Sequence, residues 1–355
     1  MEYFGFGLLG SYRGRPHIDA ISDNLELIEC ADEWGIDGWY MAEHHIRPEF
    51  SISAAPNLLT AAVARRTSRL RLGNMVNILP YHHPLRLAEE LRTLDALTGG
   101  RLEAGFGRGQ IRVEQGAFGV VRDETVEMFD AAFDIITRLL RGEVADYDTK
   151  WWRGSGAFAI PERTQVKIPL WISAASPESI EKCARLGVGC ATALLTRDVA
   201  DERMSAYRKF WLQYQPDRLG EDQFAVTATI AVAGSEEAAV AQVAKDLEQK
   251  QEHFAQAISD KPGADDRTYA SHKAQYDAFA ASTIESMLSD GLLIAGTVEQ
   301  CVEQVMRIKQ RGIDRLICTF HTAESDYPFS KRSMELFAKE VIPIVEGRAN
   351  TAEDG

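Results

Sequence analysis

Short apolar runs alternate with amphipathic segments along the chain, and this alternation predicts strands that alternate with helices. Eight of these runs have the length and the apolar content of buried strands. They lie at residues 3–9, 38–42, 70–79, 101–106, 169–174, 189–194, 224–232 and 315–320.

Proline and glycine mark the ends of several predicted helices. Pro56 and Pro84 precede apolar residues at helical spacing, which is typical of a first helical turn. Gly99 and Gly100 follow the second of these helices and predict its end. In the helix after the first strand, Asp19 or Ser22 is the expected N-cap.

The fold class follows from this order of elements. Eight strand–helix units with buried strands predict a parallel (β/α)8 TIM barrel, formed as one domain by residues 1–345. An open, doubly wound sheet is the alternative. A polar tail is expected at 346–355.

Two segments are longer than ordinary connections in a barrel. The first, 146–169, follows strand 4 and is predicted to be loop-like. The second, 245–290, follows strand 7 and is helix-prone, with a break at 259–266 around Pro262 and Gly263. We predict that the second insertion is a mobile lid, and a surface insertion without a role is the alternative.

Three ionisable residues, Glu43, His44 and His45, directly follow the second strand. Ionisable groups at the carboxyl end of a buried strand are costly unless a site requires them, and active sites of TIM barrels lie at that end. Because neighbouring side chains alternate in direction, we expect one of the two histidines to face the site. A polar turn with partly exposed histidines is the alternative.

Two further strand ends carry residues suited to anion binding. Arg108 lies in the glycine-rich stretch 105–109, which is not a dinucleotide fingerprint because Gln110 occupies the last glycine position. After the fifth strand, Ser176 and Pro177 predict a helix start, where free backbone N–H groups favour a phosphate. A glycine turn with an arginine–carboxylate pair, and simple helix capping, are the alternatives.

Charge and cysteine usage narrow the class of partners. The chain has 355 residues and a formal net charge of −14, which disfavours nucleic acid and anionic membranes. Its 45% hydrophobic content is typical of a globular protein, and no run is long enough to span a membrane. With an odd number of cysteines, no C-x-x-C pair and no secretory leader, a reduced, cytoplasmic protein is expected.

No metal site is expected from the histidines. His82, His83 and His321 also follow strands, but the first strand lacks the H-x-H pair that metal hydrolases of this fold commonly carry. Adjacent histidines are also poor joint ligands.

Taken together, these motifs resemble those of the bacterial luciferase-like, flavin-dependent monooxygenases. The resemblance covers residues 3–119 and 170–187, with a shorter match at 296–301. It rests on a combination of motifs, which are EHH at 43–45, LP at 79–80 with HP at 83–84, LDALTGGR at 94–101 and GFGRG at 105–109.

The resemblance implies a barrel that binds reduced FMN supplied by a separate flavin reductase. A flavin C4a-peroxide would then insert one oxygen atom from O2 into a small organic substrate such as an aldehyde or ketone. The protein is expected to be a dimer. The implied catalytic residues are His44 and Glu43, and Glu114 falls where luciferase has an aspartate.

The resemblance also implies the residues that bind the flavin. Arg108, Ser176 and Ser179 match positions at the phosphate, and a non-prolyl cis peptide under the ring is predicted between Met75 and Val76. The full implied set is Met75, Val76, Gly107, Arg108, Ala174, Ala175, Ser176 and Ser179. Phe6, Met75, Phe106 and Trp171 are expected to face the ring or substrate, with core packing as the alternative.

Two departures from luciferase matter. Gly107 stands where luciferase has a reactive cysteine, and Ala175 replaces a glutamate. We therefore expect a monooxygenase that acts on another substrate without emitting light. An F420-dependent oxidoreductase of the same barrel family and a non-catalytic partner subunit are the alternatives.

Overall fold

The structure, a computed structural model, describes residues 1–10, 16–259, 267–321 and 326–348. For residues 253–259 and 267–273 it describes the backbone without the side chains. The predicted break around Pro262 and Gly263 lies outside the described residues, as does most of the predicted polar tail. Within the described ranges, no helix combines the length and the apolar character needed to cross a membrane.

Eleven strands are present in the described part of the chain. They are β1 (Glu2–Gly7), β2 (Gly38–Met41), β3 (Arg71–Ile78), β4 (Leu102–Gly107), β5 (Ala145–Asp148), β6 (Arg153–Ala157), β7 (Leu170–Ser173), β8 (Gly189–Thr192), β9 (Phe224–Val232), β10 (Leu293–Gly296) and β11 (Arg315–Thr319).

Helices connect these strands and cover the outside of the sheet. They are α1 (His17–Trp34), α2 (Pro56–Ala64), α3 (Pro84–Thr98), α4 (Arg112–Ala117), α5 (Thr125–Arg141), α6 (Pro177–Leu186), α7 (Arg197–Tyr214), α8 (Glu236–Ser259), α9 (Arg267–Ala280), α10 (Ile284–Asp290), α11 (Val298–Gln310), α12 (Tyr327–Leu336) and α13 (Ile342–Val345). A π-helical turn (Phe337–Val341) joins the last two helices.

Eight parallel strands close into a ring, so the predicted TIM barrel is confirmed. The order around the ring is β1, β2, β3, β4, β7, β8, β9 and β11, and β11 pairs again with β1. This closure excludes the open sheet, because β9 pairs with both β8 and β11. A ninth parallel strand, β10, pairs with the second half of β9 and was not predicted.

Most helix boundaries match the local signals in the sequence. Pro56 and Pro84 are the first residues of α2 and α3, and Gly99 ends α3 with a φ of 65°. The predicted cap of α1 was wrong, because this helix already begins at His17 with Pro16 in the N-cap position. Proline has a φ close to the helical value, so the helix starts earlier than the polar residues suggested.

Charged and aromatic groups fill the amino-terminal end of the barrel. Glu103 is buried and accepts hydrogen bonds from Tyr40, Trp171, Arg71 and Arg315. The guanidinium of Arg315 is also sandwiched, with its Cζ 3.8 Å from the ring centroid of Phe4 and 4.2 Å from the Trp171 ring. The second expectation for Trp171, core packing, is therefore the correct one.

The two predicted insertions have different structures. The segment after β4 was expected to be loop-like, but it contains the antiparallel hairpin β5–β6. The segment after β9, the seventh strand of the ring, contains α8, α9 and α10, as its helix-prone sequence predicted. Leu247 of α8 and Phe279 of α9 are buried in one apolar cluster with Leu293 of β10, which anchors these helices over the barrel.

Candidate functional site

A cavity of about 360 Å³ opens at the carboxyl ends of the barrel strands. All ten residues predicted to be catalytic or to bind cofactor line this one cavity. They are Glu43, His44, Met75, Val76, Gly107, Arg108, Ala174, Ala175, Ser176 and Ser179. Barrel closure thus brings together strand ends that lie far apart in the sequence.

His44 is paired with an acidic residue from another strand connection. Its Nδ1 atom lies 3.3 Å from Oε1 of Glu114, a residue of α4 that is 1% exposed. The same Oε1 atom accepts a hydrogen bond of 2.8 Å from the backbone N–H of His45. Phe50 packs edge-on against the His44 ring, with the centroids 4.7 Å apart. The imidazole is therefore oriented by a carboxylate on one side and an aromatic ring on another.

The other carboxylate of the tripeptide, Glu43, is fully engaged with the protein. Its Oε2 atom accepts a hydrogen bond of 2.7 Å from the N–H of Ile78, and Oε1 lies 3.1 Å from Nε2 of His45 and 2.9 Å from Nε2 of His82. Burial alone would raise the pKa of Glu43, but the hydrogen bonds from His45 and His82 outweigh this and lower it to about 2. Glu43 is therefore ionised at neutral pH. Its carboxylate links the end of β2 to the end of β3.

His45 and His44 have different side-chain partners, although both lie beyond the end of β2. The ring nitrogen of His45 contacts Glu43, whereas that of His44 contacts Glu114. The expectation that a single histidine of the pair belongs to the cavity is confirmed, because His44 is among the lining residues and His45 is not.

One wall of the cavity is formed by Met75 and Val76 of β3 and Gly107 of β4. The peptide bond between Met75 and Val76 is cis, as predicted. A Cβ atom on Gly107 would lie 2.3 Å from Cγ2 of Val76, so this position of β4 has no room for a side chain beside β3. The cysteine that luciferase carries at this position would not fit here without a shift of Val76.

The next part of the cavity, after β7, contains the start of α6. Ser176 is its N-cap, and its hydroxyl accepts a hydrogen bond of 3.2 Å from the N–H of Ser179. Pro177 is the first helical residue, as predicted. Lys182, one turn further along the helix, also lines the cavity together with Arg108 from the loop after β4. Two cations, two hydroxyl groups and a helix N-terminus therefore line the same cavity, and Lys182 also forms an ion pair with Asp130.

Several other candidates lie elsewhere or have structural roles. Phe6 and Met75 line the cavity, but Phe106 and Trp171 do not, and Phe106 packs edge-on against Phe133 in the core. His321 is buried and its Nδ1 atom lies 3.0 Å from the hydroxyl of Ser330. Among the residues that the structure describes, no group of three or more His, Cys, Asp or Glu side chains could hold a metal ion.

Three of the lining residues that were not identified as site residues from the sequence carry polar or charged side chains from helices. Lys182, Lys250 and Tyr276 come from α6, α8 and α9. Lys182 occupies the position one turn after the predicted phosphate cradle, and this spacing was an available signal. Lys250 and Tyr276 belong to the insertion helices. Only tertiary packing decides which side of these helices faces the cavity.

Comparison with known proteins identifies the family. The sequence model of the luciferase-like monooxygenases matches residues 3–315, and the chain belongs to this family. It is 28% identical over 336 residues to limonene 1,2-monooxygenase of Rhodococcus erythropolis, an alignment covering 92% of this chain and 82% of that protein. The predicted enzyme class, a luciferase-like monooxygenase, is thus confirmed.

Solved structures with the same barrel include enzymes of two cofactor types. The oxygenating constituent of 3,6-diketocamphane monooxygenase of Pseudomonas putida, in complex with FMN, is similar with a TM-score of 0.80 and 19% identity, covering 97% of this chain and 98% of that one. An F420-dependent secondary alcohol dehydrogenase is similar with a TM-score of 0.76 and 16% identity, with the same coverage of both chains. At these identities the likeness establishes the fold alone.

Proposed function

We propose that this protein is the oxygenase of a two-component, FMN-dependent monooxygenase. It would use reduced FMN from a separate flavin reductase to insert one oxygen atom from O2 into a small organic substrate such as an aldehyde or ketone. One observation carries this proposal. A single cavity contains the oriented imidazole of His44 together with Arg108, Lys182 and the start of α6.

The residues present fit the shape and charge of FMN. The hydroxyl of Ser179, the helix start at Ser176 and the cations Arg108 and Lys182 match a terminal phosphate. Met75, Val76 and Gly107 line the wall at which the proposed flavin ring would lie, and the missing side chain at Gly107 makes room for Val76. Ala174 and Ala175 lie between these parts, at the end of β7, and their small side chains leave room for the connecting chain of the cofactor.

When bound, reduced FMN would supply the electrons that activate O2, and the protein provides position, protons and a dry environment. His44 is the group placed to move a proton at the cavity, with Glu114 on its far nitrogen. Glu43 is assigned a positioning role, because its carboxylate holds His45, His82 and the end of β3. Phe6, Phe50 and other apolar lining side chains keep water out.

The insertion helices are proposed to act as the lid predicted from the sequence. The hydroxyl of Tyr276 in α9 donates a hydrogen bond to Gln110 after β4, and the amide of Gln275 donates one to the carbonyl of Ala193 after β8. These contacts tie the lid to two cavity loops. Hydrogen exchange in α8 and α9 should slow when reduced FMN is bound. Equal exchange with and without flavin would rule out a lid.

A separate reductase belongs to the proposal because the glycine loop after β4 lacks the dinucleotide fingerprint. The solved FMN-bound relative is itself described as the oxygenating constituent of a monooxygenase. A dimer and a reduced, cytoplasmic setting are proposed as well. The latter agrees with five cysteines that carry no disulfide.

Anaerobic titration of the purified protein with reduced FMN and with reduced F420 tests the proposal. We expect reduced FMN to bind at least tenfold more tightly, and oxygen exposure with a flavin reductase and NADH to convert added aldehyde or ketone. Tighter binding of reduced F420 would support the alternative of an F420-dependent oxidoreductase. A solved F420-dependent dehydrogenase has the same fold. Tight FMN binding without turnover would support a non-catalytic partner subunit.

A further inference from the structure

Lys250 brings a positive charge into the apolar part of the cavity. The residue lies on α8 and lines the same cavity as His44, in a region with the side chains of Leu247, Phe279 and Leu292. It is half-buried, and its Nζ atom lies 3.4 Å from the hydroxyl of Thr229 in β9. An ammonium group is rarely placed against an apolar pocket without a partner.

The protein itself provides little neutralisation for this charge. Within the described ranges Lys250 forms no ion pair, and Asp246, one helical turn earlier, is the acidic group that acts on it. Burial lowers the pKa of the Lys250 ammonium below its usual range, and the attraction of Asp246 offsets this effect only in part. Burial deprives the ammonium of favourable interactions with water. A bound anion would replace them with a direct charge interaction.

Polar groups on the barrel wall complete a subsite next to Lys250. Thr227 and Thr229 are two residues apart on β9 and therefore face the same side, and Thr319 of β11 pairs in register with Thr229. All three threonines line the cavity. Three hydroxyl groups and one ammonium thus form a polar patch within otherwise apolar surroundings.

We infer that Lys250 binds an anionic oxygen of the organic substrate, so that the preferred substrates combine an apolar body with a carboxylate or similar head. The threonine hydroxyl groups would complete the hydrogen bonding of that head, and the apolar lining would cover the body. The anionic head would bind in the cavity of the proposed monooxygenase. This inference rests on the proposed function, because the bound anion is a substrate only if the protein is that enzyme.

The cationic cluster at α6 does not explain this feature. Arg108 and Lys182 follow β4 and β7, whereas Thr229 is in β9, and β8 separates β7 from β9 in the ring. The cavity therefore has two cationic regions on different strands. One suits the phosphate of the proposed cofactor, and the other remains for a second anion.

Calorimetric titration with octanoate and with 1-octanol tests the inference without turnover. The two probes share an eight-carbon chain and differ in the charged head. We expect wild-type protein to bind octanoate, and Lys250→Met to reduce its association constant at least tenfold while changing octanol binding less than about twofold. Lys250→Arg should retain most of the octanoate affinity, because it keeps the charge.

Controls separate this subsite from the phosphate region and from general charge effects. Lys209→Met removes an exposed lysine of α7 and should leave octanoate binding unchanged. Octanoate binding that is lost in Arg108→Ala but kept in Lys250→Met would overturn the inference, as would the absence of octanoate binding to the wild type. Circular dichroism of each variant checks that the fold is retained.

The same titrations distinguish failure of this inference from failure of the proposed function. Reduced FMN should bind Lys250→Met as tightly as the wild type. Lysine-dependent octanoate binding without any FMN binding would support the anion subsite and contradict the proposed cofactor. If FMN binds and the octanoate affinity is the same in the wild type and in Lys250→Met, the subsite alone is contradicted.

Discussion

The Nδ1 atom of His44 lies 3.3 Å from the Oε1 atom of Glu114, although the two residues are 70 positions apart in the chain. A carboxylate on one ring nitrogen selects the tautomer and orients the other nitrogen toward a reacting group. Glu114 also has a buried second oxygen, Oε2, without a hydrogen-bond partner among the described residues. These two observations make Glu114 the first residue to test beside His44.

Replacing Glu114 by glutamine should slow turnover without weakening flavin binding. The amide retains the size of the side chain and its acceptor for the N–H of His45, but it removes the negative charge beside His44. We expect turnover to fall about tenfold, equivalent to about 1.4 kcal/mol in the barrier. Stopped-flow turnover and anaerobic titration with reduced FMN measure the two quantities separately.

A double substitution shows whether Glu114 acts through His44. His44→Ala alone should lower turnover by roughly 10²–10⁴-fold, the usual range for a lost acid–base group. If Glu114 acts by orienting His44, adding Glu114→Gln to His44→Ala should cause no further loss. Losses that multiply would assign Glu114 an independent role.

Replacing Arg108 by alanine should weaken the binding of reduced FMN by about 1.5–3 kcal/mol, the range for a hydrogen bond to a charged group. The binding of reduced riboflavin, which lacks the phosphate, should change little. Arg307→Ala is the matched control, because this arginine lies on an exposed stretch of α11. An equal effect of Arg108→Ala on both flavins would place Arg108 away from the phosphate.

The contact between Glu43 and His82 should make stability depend on pH. The pKa of Glu43 is lowered from 4.5 to about 2, so its contribution is present above pH 4.5 and is lost as the pH falls toward 2. Burial lowers the pKa of His82, but the hydrogen bond and charge of Glu43 outweigh this and raise it above 6.5. The His82 contribution is therefore present below pH 6.5 and is lost as the pH rises through the folded-state pKa.

His82→Gln tests this pH window. Urea unfolding at pH 5.5 should show a loss of roughly 1.5–3 kcal/mol relative to the wild type, because a charge-assisted hydrogen bond is removed. At pH 8.5 the difference should be smaller. The adjacent, exposed His83→Gln is the control and should lack this pH dependence. A loss that is the same at both pH values would show that the contact contributes packing and not charge.

Arg315→Met should strongly destabilise the barrel. The substitution removes the guanidinium from between Phe4 and Trp171 and leaves Glu103 buried with one of its two cationic partners missing. Breaking a buried ion pair costs about 3–5 kcal/mol, which denaturant unfolding can measure.

Arg307→Met is the control for Arg315→Met, which tests the amino-terminal end (the base) of the barrel. Arg307 pairs with Glu303 at 3.6 Å, and both side chains are 71% exposed. Exposed pairs of this kind contribute about 0–1 kcal/mol, so this variant should remain close to the wild type in stability. Similar losses in Arg307→Met and Arg315→Met would contradict the assignment of a stabilising network to the base.

The sequence by itself determined the barrel and the starts of several helices. Strand identity depends on apolar runs, and helix starts at Pro56, Pro84 and Ser176 depend on residues next to one another, so both can be recognised without tertiary information. The position of the cis peptide before Val76 came from the resemblance to the family, as did the expected role of Arg108 at a phosphate.

Only the tertiary structure decided which distant side chains meet. Glu114 reaches His44 because β2 and β4 are both part of one closed ring, and Lys250 reaches the cavity because α8 packs on β10. The network around Arg315 joins residues from opposite ends of the chain. Hydrophobic periodicity carries no information on such pairings, because it reports which face of an element is buried and not which neighbour covers that face.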